Sequence, residues 1–418
     1  TRRRTTRRTH SIAGQNAYAA TLTNLKETRY MLKNNSDYDT LLQAAENISK
    51  ECYAHADDIE KARRLPEHIS KKLAQAELYK LGIPRHVGGL EAPPGITSQI
   101  FETLARGDAS CAWVTFISAT SGTALASIPD EAAAEVFSDP AMLLTGVFAP
   151  TGKAEKVEGG FQVNGRWQWG SGSQNAGWVL GGCMLTENGE PMLDSSGKPR
   201  HTMLIMPAEE IEFLDTWHVS GLRGTGSLDY QVNNLFVPEA RAVGYLGGGS
   251  ARKNPIYAFP SFTFLALGIG AVCMGIARAA IDELVSLATK KRRISASKTV
   301  AEQQISQMKL AQAEADLRSA RLFYYHTLDT AWQSASAGNK VSIEQRRDLR
   351  LATTNAVIKS AGVVDEMYNL GGGSAVYENS RLQRHFRDIH VATSHIMVAP
   401  STLETIGRLL FGLKSNSS

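Results

Sequence analysis

Several familiar signatures of chemistry are missing from this chain. No GxGxxG follows a strand-like run; GLRGTGS (221–227) and GIGAVCMG (268–275) both miss the spacing, so there is no Rossmann phosphate turn for a nicotinamide dinucleotide. P-loop, HExxH and GxSxG patterns are absent too, leaving no nucleotide cradle, zincin helix or nucleophile elbow in view. Cysteine is scarce: Cys52, Cys111, Cys183 and Cys273 stand apart without CxxC spacing and read as buried thiols of a reducing cytosol. No membrane span is expected either. The longest apolar run, Phe262 to Ala277, falls short of the roughly 20 residues a spanning helix needs, and Arg278 follows it. It reads as a buried core helix whose Gly268, Gly270 and Gly275 admit close neighbours. An excess of positive charge is also lacking where it would matter. The formal charge is +4, but five arginines (Arg2, Arg3, Arg4, Arg7, Arg8) lie in the opening TRRRTTRR, so the rest carries 4 − 5 = −1. Such a body argues against nucleic-acid or anionic-membrane partners. The opening reads as a disordered tail or leader, with a transit peptide as the alternative.

What is present changes texture twice. From Tyr38 to about Phe137, LLQAAENISKECYAHADDIEKAR, PEHISKKLAQAELYKLG and TSQIFETLARGDASCAWVTFISATSGTAL repeat apolar residues at helical spacing. From Leu143 to about Tyr245, short apolar or alternating runs are bounded by Gly, Asn and Pro; GGFQVNG and TENGEP carry hairpin chemistry, because Asn-Gly takes positive φ cheaply. From Phe259 onward long amphipathic helices return. The expectation is a mainly α protein with a central β-barrel domain. A tail occupies 1–36, a helical domain 37–142, the β-barrel domain 143–250 and a four-helix bundle 251–418. His385, His390 and His395 recur every five residues, about 140° apart on a helix, so they cannot share one metal. Metal is therefore not expected. An enzyme on this scaffold would borrow its reactivity from a cofactor.

FAPTGKAEKVEGGFQVNGRWQWGSGSQNAGW (148–178) resembles the flavin-facing stretch of acyl-CoA dehydrogenases. It is more similar still to their monooxygenase cousins, the oxygenase components acting on hydroxyphenylacetate, phenolic steroids, dibenzothiophene or indoles. WHVSGLRGTGSLDYQVNNLFVP (217–238) and SRLQRHFRDIHVATSHIM (380–397) resemble two further blocks of that superfamily, and the likeness spans roughly 37–412. Acyl-CoA dehydrogenases mostly place a Glu base eight residues beyond the Asp of an Arg-Asp pair. Here the pair is Arg387-Asp388 and the eighth residue is Ile396, with His395 beside it, as the monooxygenase branch would have. Phenol-hydroxylating members carry a His shortly after a Trp-Val resembling Trp113-Val114; Thr115, Ser118, Thr120 and Ser121 stand there instead, which points to indole-like or other neutral aromatics.

The resemblance implies a two-component flavin monooxygenase that uses reduced FMN or FAD and O2, through a C4a-hydroperoxyflavin, to hydroxylate or epoxidise a small aromatic substrate. A separate NAD(P)H:flavin reductase would supply the reduced flavin. Such chemistry needs water excluded, the flavin N5 proton held, and a proton donor near the distal oxygen. The turn Trp169-Gly170-Ser171-Gly172-Ser173 suits the first two tasks, with Trp167 and Trp169 alternating along a strand to wall the isoalloxazine. Without the resemblance it would read as an ordinary strand-ending loop. His395 is the expected acid–base residue, an imidazole titrating near neutrality, and Arg387-Asp388 a structural ion pair. Within Lys290-Lys291-Arg292-Arg293, Arg292 and Arg293 are candidates for the flavin phosphate, a solvated helix end being the alternative. Gly371, Gly372, Gly373 and Ser374 resemble a glycine loop that meets the cofactor tail across a subunit interface, implying a homotetramer. Trp113, Phe116, Phe259 and Phe262 are candidate substrate contacts. The alternatives are an acyl-CoA dehydrogenase or oxidase, an N-hydroxylase of amino sugars, and a flavin-free scaffold.

Overall fold

Caps and breakers decide where the N-terminal helices stop. The computed structural model describes residues 36–246, 254–292 and 297–413, so most of the expected tail lies outside the described residues. Residues 36–39 only open the first helix, and the chain from Thr40 onward is one unit. Helix α1 (Ser36–Ala54) gives way at His55 to α2 (Ala56–Ala62), which ends on Arg63 in the left-handed region. Pro66 starts α3 (Glu67–Gln75). The long segment TSQIF…SGTAL divides into α4 (Pro94–Gly107) and α5 (Ala109–Gly122), because Asp108 is extended and its carboxylate caps α5 through the Cys111 N–H at 2.9 Å. A short α6 (Asp130–Val136) follows.

The middle of the chain is a seven-stranded sheet: β1 (Leu144–Val157), β2 (Gly160–Gly170), β3 (Trp178–Glu187), β4 (Glu190–Pro191), β5 (His201–Pro207), β6 (Glu212–Leu214) and β7 (Leu228–Pro238). The order runs β4-β3-β1-β2-β7-β6, with β5 also on β3. This corrects the barrel expectation. Among the described residues no pairing joins β6 back to β4 or β5, so the sheet stays open. TENGEP does form a tight hairpin, with Asn188 and Gly189 both at positive φ between β3 and β4. The Asn-Gly of GGFQVNG does not turn the chain. Asn164-Gly165 marks a register shift inside β2, and the β1–β2 turn falls at Glu158-Gly159.

Among the described residues four helices complete the fold: α7 (Ser261–Ala288), α8 (Gln304–Ser336), α9 (Ile343–Gly371) and α10 (Arg381–Thr393), followed by short α11 (Thr402–Leu410). Helix α7 runs past Arg278 and is long and apolar enough to cross a membrane, yet 94% of its most apolar window is buried inside the protein. Its glycines explain that burial. A Cβ on Gly268 would lie 2.5 Å from the Phe116 ring of α5, and one on Gly275 would lie 2.3 Å from the Glu102 carbonyl of α4. The N-terminal helices and the bundle thereby share one core, into which the sheet delivers the end of β2.

Candidate active site

Strand β2 should send Trp167 and Trp169 to one face, since side chains two apart point the same way. They part instead. Trp169 takes φ +67° next to a register shift, so its indole turns outward and is 68% exposed. Trp167 is wholly buried, stacked on Tyr230 with ring centroids 5.2 Å apart, and its N–H donates to the Gly182 carbonyl at 2.7 Å. Trp167 is therefore a core residue and only Trp169 is free to cover a planar ligand.

The following turn is tied down on every side. Gly172 stands at φ +79°, where a Cβ would be strained and would press on Val114 at 3.1 Å. Its N–H donates to the Thr225 carbonyl at 2.7 Å, the Ser173 hydroxyl donates to the Gly226 carbonyl at 3.1 Å, and the Thr145 hydroxyl donates to the Ser171 carbonyl. The Ser171 hydroxyl oxygen accepts the indole N–H of Trp113 at 3.1 Å and lies 2.8 Å from the hydroxyl of Ser227. Trp113 also lies edge-on to Phe116 and 6.0 Å, centroid to centroid, from His395. One tryptophan thus links the serine turn to the imidazole.

His395 reaches that place because α10 is anchored before it ends. Arg384 bonds Asp57 and Glu60 of α2, and Arg387 bonds Glu60 and the Ser220 carbonyl. Asp388 is buried and accepts the Leu222 N–H at 2.6 Å. Arg387 and Asp388 therefore clamp two different segments rather than pairing with each other. Past the helix, His395 adopts an extended conformation, and its Nδ1 accepts the Met397 N–H at 3.2 Å. That bond fixes the tautomer: Nδ1 carries the lone pair and Nε2 the proton. Burial, followed by the nearby Arg350 guanidinium, pushes the imidazole down to about 4. The expectation of titration near neutrality is corrected. At pH 7 His395 is a neutral N–H donor. His385 is buried, pushed down to about 3 mainly by burial, and His390 pairs with Asp365 at 2.8 Å, so the three histidines go to three environments.

The basic run and the glycine loop do meet. Lys291 Nζ donates to the Gly371 carbonyl, Gly372 turns at φ +52°, and a Cβ on Gly373 would meet nothing within 4 Å. Gly372 and Gly373 are exposed and Ser374 half-buried. Arg292, next in sequence to Lys291, is exposed, while Arg293 lies outside the described residues. The aromatic candidates do not form one wall. Phe116 is closed off between Trp113, Phe101 and Gly268, which corrects its reading as a substrate contact. Phe259 meets Trp332, and Phe262 is 53% exposed against Phe148. Thr145, Thr225, Ser227, Arg350 and Lys291 belong to the site without having been singled out. Thr225 and Ser227 lie in GLRGTGS, a failed dinucleotide motif inside the 217–238 block that carries part of the family resemblance, and neither residue was named there as a site residue.

Comparison with known proteins decides what this geometry belongs to. Family models of the acyl-CoA dehydrogenase N-terminal and C-terminal domains match residues 37–135 and 267–400. An indole-3-acetate monooxygenase from Pseudomonas putida is 33% identical over 350 residues, 82% of this chain and 88% of the relative. The chain belongs to the flavin-dependent monooxygenases of the acyl-CoA dehydrogenase superfamily. Another member of these flavin monooxygenases, the oxygenase component of p-hydroxyphenylacetate 3-hydroxylase from Acinetobacter baumannii, is 26% identical across 90% of each chain. Among solved structures, the HsaA monooxygenase from M. tuberculosis superposes with a TM-score of 0.82 at 27% identity, covering 91% of this chain and 99% of that one.

Proposed function

We propose that this flavin monooxygenase is an oxygenase component that takes reduced FMN or FAD from a separate NAD(P)H:flavin reductase and, with O2, hydroxylates or epoxidises a small, indole-like aromatic compound. When bound, the reduced flavin supplies two electrons and the carbon that activates O2, one oxygen atom going to the substrate and the other to water. The residues present fit such a group. An outward-turned indole at Trp169 stands beside a buried hydroxyl at Ser171, and a lysine is held against a glycine loop with open backbone around it.

Ser171 holds the hydrogen at flavin N5, and Trp113 fixes the oxygen that does so. Trp169 covers the ring and keeps water from it. His395, with Nδ1 occupied by the Met397 N–H, would offer a neutral Nε2–H as a hydrogen-bond donor beside Trp113. Such a donor would hydrogen-bond an oxygen atom of the bound reactants without acting as a strong acid. Lys291, Arg292 and the backbone of Gly371, Gly372 and Gly373 receive the flavin phosphate, joined by Ser374. The tail would be completed by another copy in a homotetramer, a reading supported by the exposed apolar C-terminal residues Leu410, Phe411 and Leu413. Four free thiols support a cytosolic setting. The indole preference rests on the Pseudomonas relative's named substrate and on hydroxyl side chains rather than a histidine after Trp113-Val114.

The observation that carries this reading is the Ser171–Trp113–His395 linkage. The test is a single turnover: protein loaded anaerobically with reduced flavin, mixed with O2 and indole, and analysed for oxygenated indole and H2O2. Oxygenated product is expected. Complete conversion of O2 to H2O2 with indole and other aromatics, together with bleaching of bound FAD by an acyl-CoA, would reverse the assignment.

A further inference from the structure

The proton positions in the hydroxyl chain behind Ser171 follow from its far end. The Thr225 hydroxyl lies 2.8 Å from the Leu222 carbonyl and 2.7 Å from the Ser227 hydroxyl, which in turn lies 2.8 Å from the Ser171 hydroxyl. A carbonyl can only accept, so Thr225 spends its single proton on Leu222. Ser227 must then donate to Thr225, and Ser171 must donate to Ser227. At the near end, Trp113 has only an N–H to offer and donates it to Ser171. No proton remains on Ser171 to point elsewhere. Its oxygen has one lone pair on the Trp113 N–H and one left over. All four side chains are buried, Ser171 at 7%, Ser227 at 2%, Thr225 at 1% and Trp113 at 6% exposure, so water does not readily reverse the chain.

We propose that Thr225 and Ser227 are positioning residues that lock Ser171 as a hydrogen-bond acceptor, and that this polarity makes the site select reduced over oxidised flavin. The inference rests on the reading that Ser171 faces N5. Reduced flavin carries a hydrogen at N5 and gives Ser171 a partner. Oxidised flavin carries a lone pair there, and two acceptors face one another. A mismatched buried pair forfeits a hydrogen bond and its desolvation, which sets about a tenfold difference in affinity between the two redox states. The consequence is directional: the oxygenase captures flavin that is ready to meet O2 and releases it once oxidised.

The discriminating measurement is the ratio of dissociation constants for oxidised and reduced FMN, taken anaerobically for the reduced form, in the wild type and in Ser227→Ala, Thr225→Val and Thr225→Ser. Ser227→Ala and Thr225→Val each leave the Ser171 proton free to swing toward N5. In both, oxidised FMN should bind about tenfold more tightly relative to reduced FMN, while Thr225→Ser keeps the wild-type ratio. A variant that merely loosens the fold weakens both forms together and leaves the ratio alone. Unchanged ratios in Ser227→Ala and Thr225→Val, with a changed ratio in Ser171→Ala, overturn the polarity argument while keeping the N5 contact. An unchanged ratio in Ser171→Ala as well removes the N5 contact itself.

Discussion

Replacing Asp388 by Asn should make the protein more stable above pH 7, although it alters a buried residue of the last long helix. Asp388 is buried, and burial first, then the nearby Asp108 carboxylate, pushes its carboxyl up to about 7. A carboxyl that releases its proton near 7 instead of near 4 carries a penalty of about 4 kcal/mol once ionised in the fold. The sign follows from proton counts. Between pH 4 and 7 the folded chain holds a proton that the unfolded chain has lost. The contribution is therefore complete below about 4 and is lost as pH rises through about 7. Asparagine keeps an oxygen for the Leu222 N–H and never ionises; its buried amide hydrogens cost about 1 kcal/mol if unpaired. The net gain at pH 8.5 is thus about 2–3 kcal/mol, with none or a slight loss at pH 4.5. His385 and His395, held at about 3 and about 4, act in the opposite sense, losing stability as pH falls from 6.5. The quantity to read is therefore the difference in urea midpoint between the Asp388→Asn variant and the wild type at several pH values, followed by tryptophan fluorescence. A difference that does not change with pH, or that falls as pH rises, refutes a protonated Asp388.

Three further outcomes follow from the same contacts. His395→Ala should divert O2 consumption from oxygenated product to H2O2, and wild-type coupling should show no inflection between pH 5.5 and 8, because the imidazole is already neutral there; an inflection near 6.5 would contradict that. Gly172→Ala should cost about 1–2 kcal/mol in thermal or urea unfolding, from the left-handed backbone and the 3.1 Å approach to Val114, and an unchanged midpoint would show that the turn relaxes. Trp169→Ala should shift stability by less than about 0.5 kcal/mol, since the side chain is exposed, while weakening flavin affinity in a titration; equal affinity would remove Trp169 from the cofactor's face.

The architecture was legible wherever patterning is local. Helical spacing, the Asn188-Gly189 turn and the small residues of α7 each announce their structure through neighbours in sequence. The closure of the sheet was not, because β5 and β6 follow one another in the chain yet pair with β3 and β7 on opposite sides of the sheet, a choice that neighbours in sequence do not reveal. Period-two alternation failed at Trp167 and Trp169, where a single positive φ sent two tryptophans to opposite environments. The hydroxyl chain was hidden for another reason. Ser and Thr in a glycine-rich loop look like solvated turn residues until a third segment, here the Trp113 helix, covers them. The imidazole's low protonation point likewise depends first on its burial and then on Arg350, contributed by α9, and neither is visible in sequence.

One offset at the end of the last long helix decides which side chain turns toward Trp113. Helix α10 ends at Thr393, and Ser394 closes it. Were the helix to continue, the residue eight beyond Asp388 would lie about 80° around the axis from it, and a carboxylate there could face a substrate. Instead the chain extends at His395, and the next residues form a short turn capped by the imidazole itself. The ring at 395 swings to Trp113, while Ile396 is 73% exposed. The side chain that Trp113 links to the serine turn is thus an imidazole and not a carboxylate. The clamps that hold the helix end, Arg384 and Arg387 on Glu60 and Asp388 on Leu222, also hold the segment carrying Thr225 and Ser227. Imidazole and serine are therefore positioned by one set of contacts, and loosening that set should disturb both at once.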